Sequence, residues 1–250
     1  MAQLDFNCDL GEGCGNDDAI VPLVSSASIA CGGHAGDATS MRATVALCLA
    51  HGVAIGAHPS FEDREHFGRR ELSLSADAIH ASVTRQVGAL GEICAALGTR
   101  MHHVKPHGAL YNVAARDRQV ADAVAGAVRA VDPSLILFGL SGSCLTDAGS
   151  ALGLRVAHEV FAERAYGADG RLAPRGTPGA VIEDLDASLA QVRRLLRDGV
   201  VDARDGSVVP LRADTLCLHG DRPDAVAFAR ALRTVLESEG VSVRAPGHLR

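Results

Sequence analysis

The ionisable side chains of this chain fall into short groups, each directly behind an apolar segment of strand type. Asp9 and Glu12 follow LDFNCD (4–9), with Asn7 inside it, and His34 and Asp37 follow SASIAC (26–31). His58 follows VAIGA (53–57), and Lys105 and His107 close MHHVK (101–105). Farther on, His158 and Glu159 close LRVAHEV (154–160), with Arg164, Asp169 and Arg175 in the loop beyond. His219 and Asp221 close DTLCLH (214–219). Carboxylates and histidines together suit general acid–base work on a bound molecule. A lysine and arginines beside them suit stabilising negative charge and gripping a carboxylate or phosphate.

Each group also has a plainer reading. Asp37 could cap the helix that follows it, and Asp221 could cap the last helix. Asp9 could cap a turn, His58 could be satisfied by backbone, and Glu159 could pair with Arg164. The glycines of ACGGHAGD could instead let backbone N–H groups approach an anion at a helix start. Lys105 is distinctive: of 24 basic residues it is the only lysine. Arginine serves wherever charge alone matters, so a retained lysine marks a place that needs a compact ammonium. Pro106 stops the ladder and Gly108 permits close approach, which holds Lys105 and His107 at the strand end.

The elements that must position these groups alternate between strand and helix. Ile79, Val83, Val87, Leu90, Ile93 and Leu97 recur at helical spacing over 76–97, with Ser75 as cap and Gly98 as stop. Helices are also expected over 38–51, 117–131, 182–197 and 223–238. LILFGL (135–140) adds a strand, VVDARDGSVVPL reads as a hairpin turning at Asp205-Gly206, and VSVR (241–244) closes the pattern. His102 and His103 face opposite ways on their strand. Seven or eight strands alternating with helices, without a linker, predict one α/β domain over 1–250, closed as a TIM-like (β/α) barrel. An open doubly wound sheet is the alternative.

Composition removes several classes. The net charge of −6 and 3% aromatic residues argue against nucleic-acid binding. No apolar run has membrane-spanning length, and the N-terminus does not read as a signal peptide. Seven cysteines, an odd number largely set in apolar segments, fit reduced thiols and a cytoplasmic protein. GxxxxGK[ST], a GxGxxG after the first strand, and GxSxG are all absent.

Six blocks carry a resemblance: DFNCDLGEG (5–13), SIACGGHAGD (28–37), GAHPSFEDREHFGRR (56–70), HVKPHGALYN (103–112), EVFAERAYGADGRLAPR (159–175) and CLHGD (217–221). In these blocks, which come in family order, the chain resembles the LamB/YcsF family of 5-oxoprolinase A subunits. The resemblance implies a barrel of the glycoside hydrolase/deacetylase type. It also implies ATP-dependent opening of 5-oxo-L-proline to L-glutamate, with partner subunits B and C and with ATP as co-substrate. Mg accompanying the ATP, or a divalent metal in the site, is consistent with that chemistry.

On this expectation Asp9 or Glu159 serves as general base toward water, and Lys105 and His107 stabilise charge on an activated lactam oxygen. Arg164 or Arg175 grips the substrate carboxylate or a phosphate. Asn7, Glu12, His34, Asp37, His58, His219 and Asp221 complete the binding mouth. The likeness to deacetylases implies an alternative in which Asp9, His58 and His107 hold a divalent ion that activates water. In a further alternative the chain only binds substrate while B and C do the chemistry.

Overall fold

The segment QLDFNCDL alternates polar and apolar residues, and that alternation decides what fills the interior. In the computed structural model, which describes residues 3–247, it forms β1 (Gln3–Leu10). Phe6, Cys8 and Leu10 turn toward the apolar layer beneath the helices. Asp5, Asn7 and Asp9, at the alternate positions, turn the other way and are equally buried.

Parallel strands β2 (Ser26–Ala30), β3 (Ala54–His58), β4 (His103–Val104), β5 (Ile136–Leu140) and β6 (Arg155–Phe161) follow. A small antiparallel hairpin, β7 (Val200–Asp202) and β8 (Val208–Pro210), then precedes β9 (Thr215–His219). β10 (Ser242–Val243) lies parallel to the start of β1. β1 to β6 pair in sequence, β9 pairs with β6, and β9 also pairs with β1, so seven parallel strands close a barrel. The register aligns Asp9 with Ser28 and His219, Ala30 with His58, and Leu140 with Glu159. These pairings bring the carboxyl ends of the strands to one mouth.

The helices are α1 (Asp17–Ile20), α2 (Ala38–His51), α3 (Ala76–Ala96), α4 (Gly108–Arg116), α5 (Arg118–Val131), α6 (Cys144–Ala151), α7 (Leu185–Asp198) and α8 (Ala225–Ser238). α3 matches its expected span and buries Ile79, Val83, Val87, Leu90 and Ile93, with Ser75 accepting from the Ala78 N–H. α7 starts later than expected because Asp184 caps it, and α8 starts after Pro223. Three helices were not anticipated, the first being the one-turn α1. α4 opens on Gly108, two residues after Pro106, and α6 carries Gly149 and a Ser143 cap, so both look like turns in sequence. β4 is shorter than 101–105, although the chain stays extended through Lys105, whose N–H donates to the Ala57 carbonyl. No helix among the described residues is long and apolar enough to cross a membrane.

The barrel interior is polar rather than packed with branched aliphatics. Asp5 accepts from the hydroxyls of Ser25, Ser26 and Thr215 at 2.6–2.7 Å. His103 stacks on Phe138 with centroids 4.1 Å apart and meets Ser28 Oγ at 3.3 Å. Gly56 makes room for that imidazole, since a Cβ there would lie 2.1 Å from His103 Nε2. His102 bonds the Pro246 carbonyl, and its Nδ1 lies 3.3 Å from that of His103, so the two rings meet instead of facing opposite ways.

Burial raises the Asp5 carboxyl to about 6, against the help of its three hydroxyl donors. A carboxyl with a raised folded-state pKa adds stability when protonated. That stability is present below the unfolded value and is lost as pH rises through the folded one. Denaturation of the wild type and Asp5→Asn should therefore show the wild type gaining about 2–3 kcal/mol relative to the variant between pH 7.5 and pH 4. Parallel curves for the two proteins would contradict this.

Candidate active site

At the barrel mouth the interior polar column ends on Lys105, which is 2% exposed. Its Nζ lies 2.6 Å from Asp9 Oδ1, 2.9 Å from Asn7 Oδ1, 3.0 Å from Glu159 Oε1 and 3.0 Å from Cys217 Sγ. An ammonium has three hydrogens, so these partners use its full donor capacity. Below it, Asn7 Nδ2 donates to Glu159 Oε1 and to Thr215 Oγ1, whose own proton goes to Asp5. That direction fixes the Asn7 amide with its oxygen toward the ammonium. Burial works against the charge on Lys105, but Asp9, Cys217 and Glu159 outweigh it and hold its pKa well above the usual value. Burial likewise works against Asp9, and His58 and Lys105 outweigh it, so this carboxyl sits well below the usual range. Such a carboxylate is a strong anchor and a weak base.

Beside Asp9 lies a group of imidazoles. His58 Nδ1 donates to the Lys105 carbonyl at 2.7 Å, and His107 Nε2 donates to the Phe67 carbonyl at 3.0 Å. A carbonyl only accepts, so both protons are placed. The other nitrogens, His58 Nε2 and His107 Nδ1, then face each other at 3.0 Å. Glu12 Oε1 stands 3.9 Å and 3.4 Å from them and 2.8 Å from His34 Nε2, and Asp9 Oδ2 is 3.2 Å from His58 Nε2. The His34 ring stacks on His107 with centroids 3.6 Å apart.

Burial and the neighbouring His58 push His34 down to about 2, and burial with His34 and His58 pushes His107 well below its ordinary value. Burial, Asp9 and Asp221 push Glu12 well above the carboxylate range. Donor atoms of Glu12, His34, His58 and His107 all lie within 4.8 Å of one another. Two ring nitrogens facing each other beside the Glu12 carboxyl offer a donor set of the kind that a divalent cation takes. Asp9 touches this group through His58 and turns its other oxygen to Lys105. A second grouping joins Asp9, Cys217 and His219, in which Cys217 Sγ already accepts from the Lys105 ammonium.

Over this floor opens a cavity of about 290 Å³, lined by Asp9, His58, Lys105, His107 and His219 below and by Arg69, Arg164, Arg171 and Arg175 on its walls. Arg164 is buried and donates to the carbonyls of Ala180 and Ala173, pinning the 165–181 loop; burial lowers it to about 10. Arg175 makes no hydrogen bond or ion pair among the described residues and also lines a second, neighbouring cavity of about 430 Å³.

Most expected residues meet here, but not all. Glu159 is fully buried beneath Lys105 and is not on the cavity wall, and its partner is Lys105 rather than Arg164. Asp221 does not cap α8, whose N-cap is Asp224; it pairs with Arg69 at the rim. Asp37 stands apart. It accepts from the N–H groups of Thr39 and Ser40 as the N-cap of α2, and Ser40 Oγ accepts from its own N–H in return. That capping box occupies the helix start that an anion would need, so Asp37 is a structural residue. Asp37→Ala should lower the melting temperature by roughly 2–4 °C and leave catalysis unchanged, as calorimetry and an activity assay would show.

The sequence reading passed over Arg69, Tyr111, Phe161 and Glu163. All four lie within the matching blocks, yet nothing in their local spacing marks them. Tyr111 and Phe161 line the cavity, and Glu163 is 2% exposed and bonds His219.

Known proteins resemble this chain over nearly its whole length. A protein of Bordetella pertussis (strain Tohama I), named as the A subunit of 5-oxoprolinase, is 53% identical over 247 residues, covering 97% of this chain and 98% of that one. The crystal structure of the lactam utilization protein from Thermus thermophilus superposes with a TM-score of 0.90 at 48% identity, covering 97% of this chain and 99% of that chain. The T48 deacetylase, solved with substrate, is 13% identical with a TM-score of 0.50 over 97% and 87% of the two chains, a likeness of fold alone. The LamB/YcsF family model matches residues 4–250. The chain belongs to the LamB/YcsF family.

Proposed function

We propose that this chain is the A subunit of an ATP-dependent 5-oxoprolinase, a cytoplasmic hydrolase that opens 5-oxo-L-proline to L-glutamate together with subunits B and C. The observation that carries the reading is the one cavity that sets arginines over a floor of ionised Asp9, Lys105 and histidines. A small anionic amide needs cationic walls to bind and acid–base groups to open. The near full-length likeness to proteins named as 5-oxoprolinase A subunits supports the same substrate.

A five-membered lactam is a poor electrophile, so ATP has a chemical purpose. The lactam oxygen takes the γ-phosphoryl group and ADP leaves. Water adds to the activated carbon, the C–N bond breaks, and the nitrogen keeps the electron pair and gains a proton. A second water releases phosphate from the resulting acyl phosphate. Arg164 and Arg175 hold the substrate carboxylate or the phosphate. Lys105, its donors already used, acts through its charge on Asp9 and on the developing oxyanion. His58, fixed by the Lys105 carbonyl, and His107, fixed by that of Phe67, keep their rings oriented toward the same floor.

The facing ring nitrogens of His58 and His107 favour a second reading within the same site. A divalent cation held by Glu12, His58 and His107, with His34 beside them, would supply Lewis-acid polarisation of water or the lactam oxygen. Metal analysis of the purified chain, with turnover measured before and after chelation, separates the two.

The test is glutamate release from 5-oxoproline and ATP by B plus C, with and without this chain. Release that requires this chain is expected. Equal release without it would overturn the reading, and no release in either mixture would move the activity to another small amide.

A further inference from the structure

Ring opening needs a group that takes a proton from water, and Asp9 and Glu159 are poorly placed for it. Asp9 is tied to Lys105 and His58, and Glu159 is not on the cavity wall. His219 is differently set. It closes β9 directly beside Asp9 and lines both cavities. Its Nδ1 bonds the Glu163 carboxylate, whose Oε1 also accepts from the His219 backbone N–H at 3.4 Å. The Phe161 ring lies near-parallel to the imidazole, at 19° with centroids 5.5 Å apart, and fixes its plane. Nε2 makes no hydrogen bond among the described residues, and the side chain is 14% exposed.

A carboxylate that both accepts from Nδ1 and grips the backbone sets the tautomer, leaving the Nε2 lone pair to the cavity. Resting on the 5-oxoprolinase reading, we propose that His219 is the general base of ring opening and that Glu163 is its positioning residue. As the water oxygen bonds to the lactam carbon, one water proton passes to Nε2. When the C–N bond breaks, the electron pair goes to nitrogen and the imidazolium returns that proton to it, so His219 ends unchanged. Glu163 and Asp9, both held as carboxylates, steady the imidazolium between the two transfers.

The test uses the reconstituted complex of this chain with B and C. His219→Ala is expected to lower kcat by about 10²–10³-fold with the KM for 5-oxoproline nearly unchanged. Added imidazole should restore a large part of the loss, which a merely structural residue would not allow. Glu163→Gln should lower kcat by roughly tenfold or more, and Glu163→Asp should recover part of it. A folded, assembled His219→Ala complex that keeps its kcat, or that loses it with no response to imidazole, overturns the assignment. A wild-type complex that releases no glutamate overturns the underlying reading and this assignment with it.

Discussion

Replacing Lys105 by alanine is expected to lower turnover of the reconstituted enzyme by about 10²–10³-fold and to destabilise the chain by about 3–5 kcal/mol. The second figure follows from burial. Lys105, Asp9 and Glu159 are 2%, 4% and 0% exposed, and removing the ammonium leaves two carboxylates in the barrel without their cation. Lys105→Met separates the two effects, because it keeps the stem and volume. It should regain packing but not turnover. Lys105→Arg should fail as well, although the chain uses arginine at its other 23 basic positions, since 24 are basic and one is lysine. Four heavy atoms stand 2.6–3.0 Å from Nζ and leave no space for a planar guanidinium. Denaturation curves and initial rates for the three variants check this, and full turnover by Lys105→Met would show that the charge is dispensable.

The second large effect is expected at Gly108. This residue has φ +55, and a Cβ on it would lie 2.6 Å from the Gly68 carbonyl oxygen, a backbone atom that accepts from the Ala109 N–H. Gly68 has φ +63, and a Cβ on it would lie 2.8 Å from the His34 Cβ and 3.1 Å from the His107 ring. The 67–69 and 107–109 turns are therefore locked together, and the Phe67 carbonyl that orients His107 belongs to the lock. Gly108→Ala should cost about 2–4 kcal/mol through strain and the displaced loop. It should also lower turnover by at least about tenfold as His107 loses its orientation. Thermal unfolding and turnover of the variant measure both. A melting temperature and kcat equal to wild type would contradict the lock.

Much of this arrangement was legible in the sequence because it follows from periodicity. Ile79 to Ile93 marked α3, and Asp205-Gly206 marked the hairpin turn. The strand-end rule alone gathers Asp9, His34, His58, Lys105, His107 and His219 at one mouth. Of the inward polar face of β1, Asn7 and Asp9 stood out in the sequence and Asp5, at the preceding alternate position, did not. Partners and direction were not legible. Glu12 and His34 join the imidazoles only because of where the turns after β1 and β2 place them. Asp37 looked like a site residue because a helix cap and a ligand share one residue type. Glu163 could not be separated from Glu159, four residues earlier, until the fold put one against His219 and the other under Lys105.

The most direct measurement is a structure of the reconstituted complex with 5-oxoproline and a non-hydrolysable ATP analogue. The lactam is expected in the cavity between the Asp9–Lys105 floor and the Arg164–Arg175 wall, within reach of His219 Nε2. A lactam held wholly by B or C, with this cavity empty, would contradict the placement of the chemistry in this barrel.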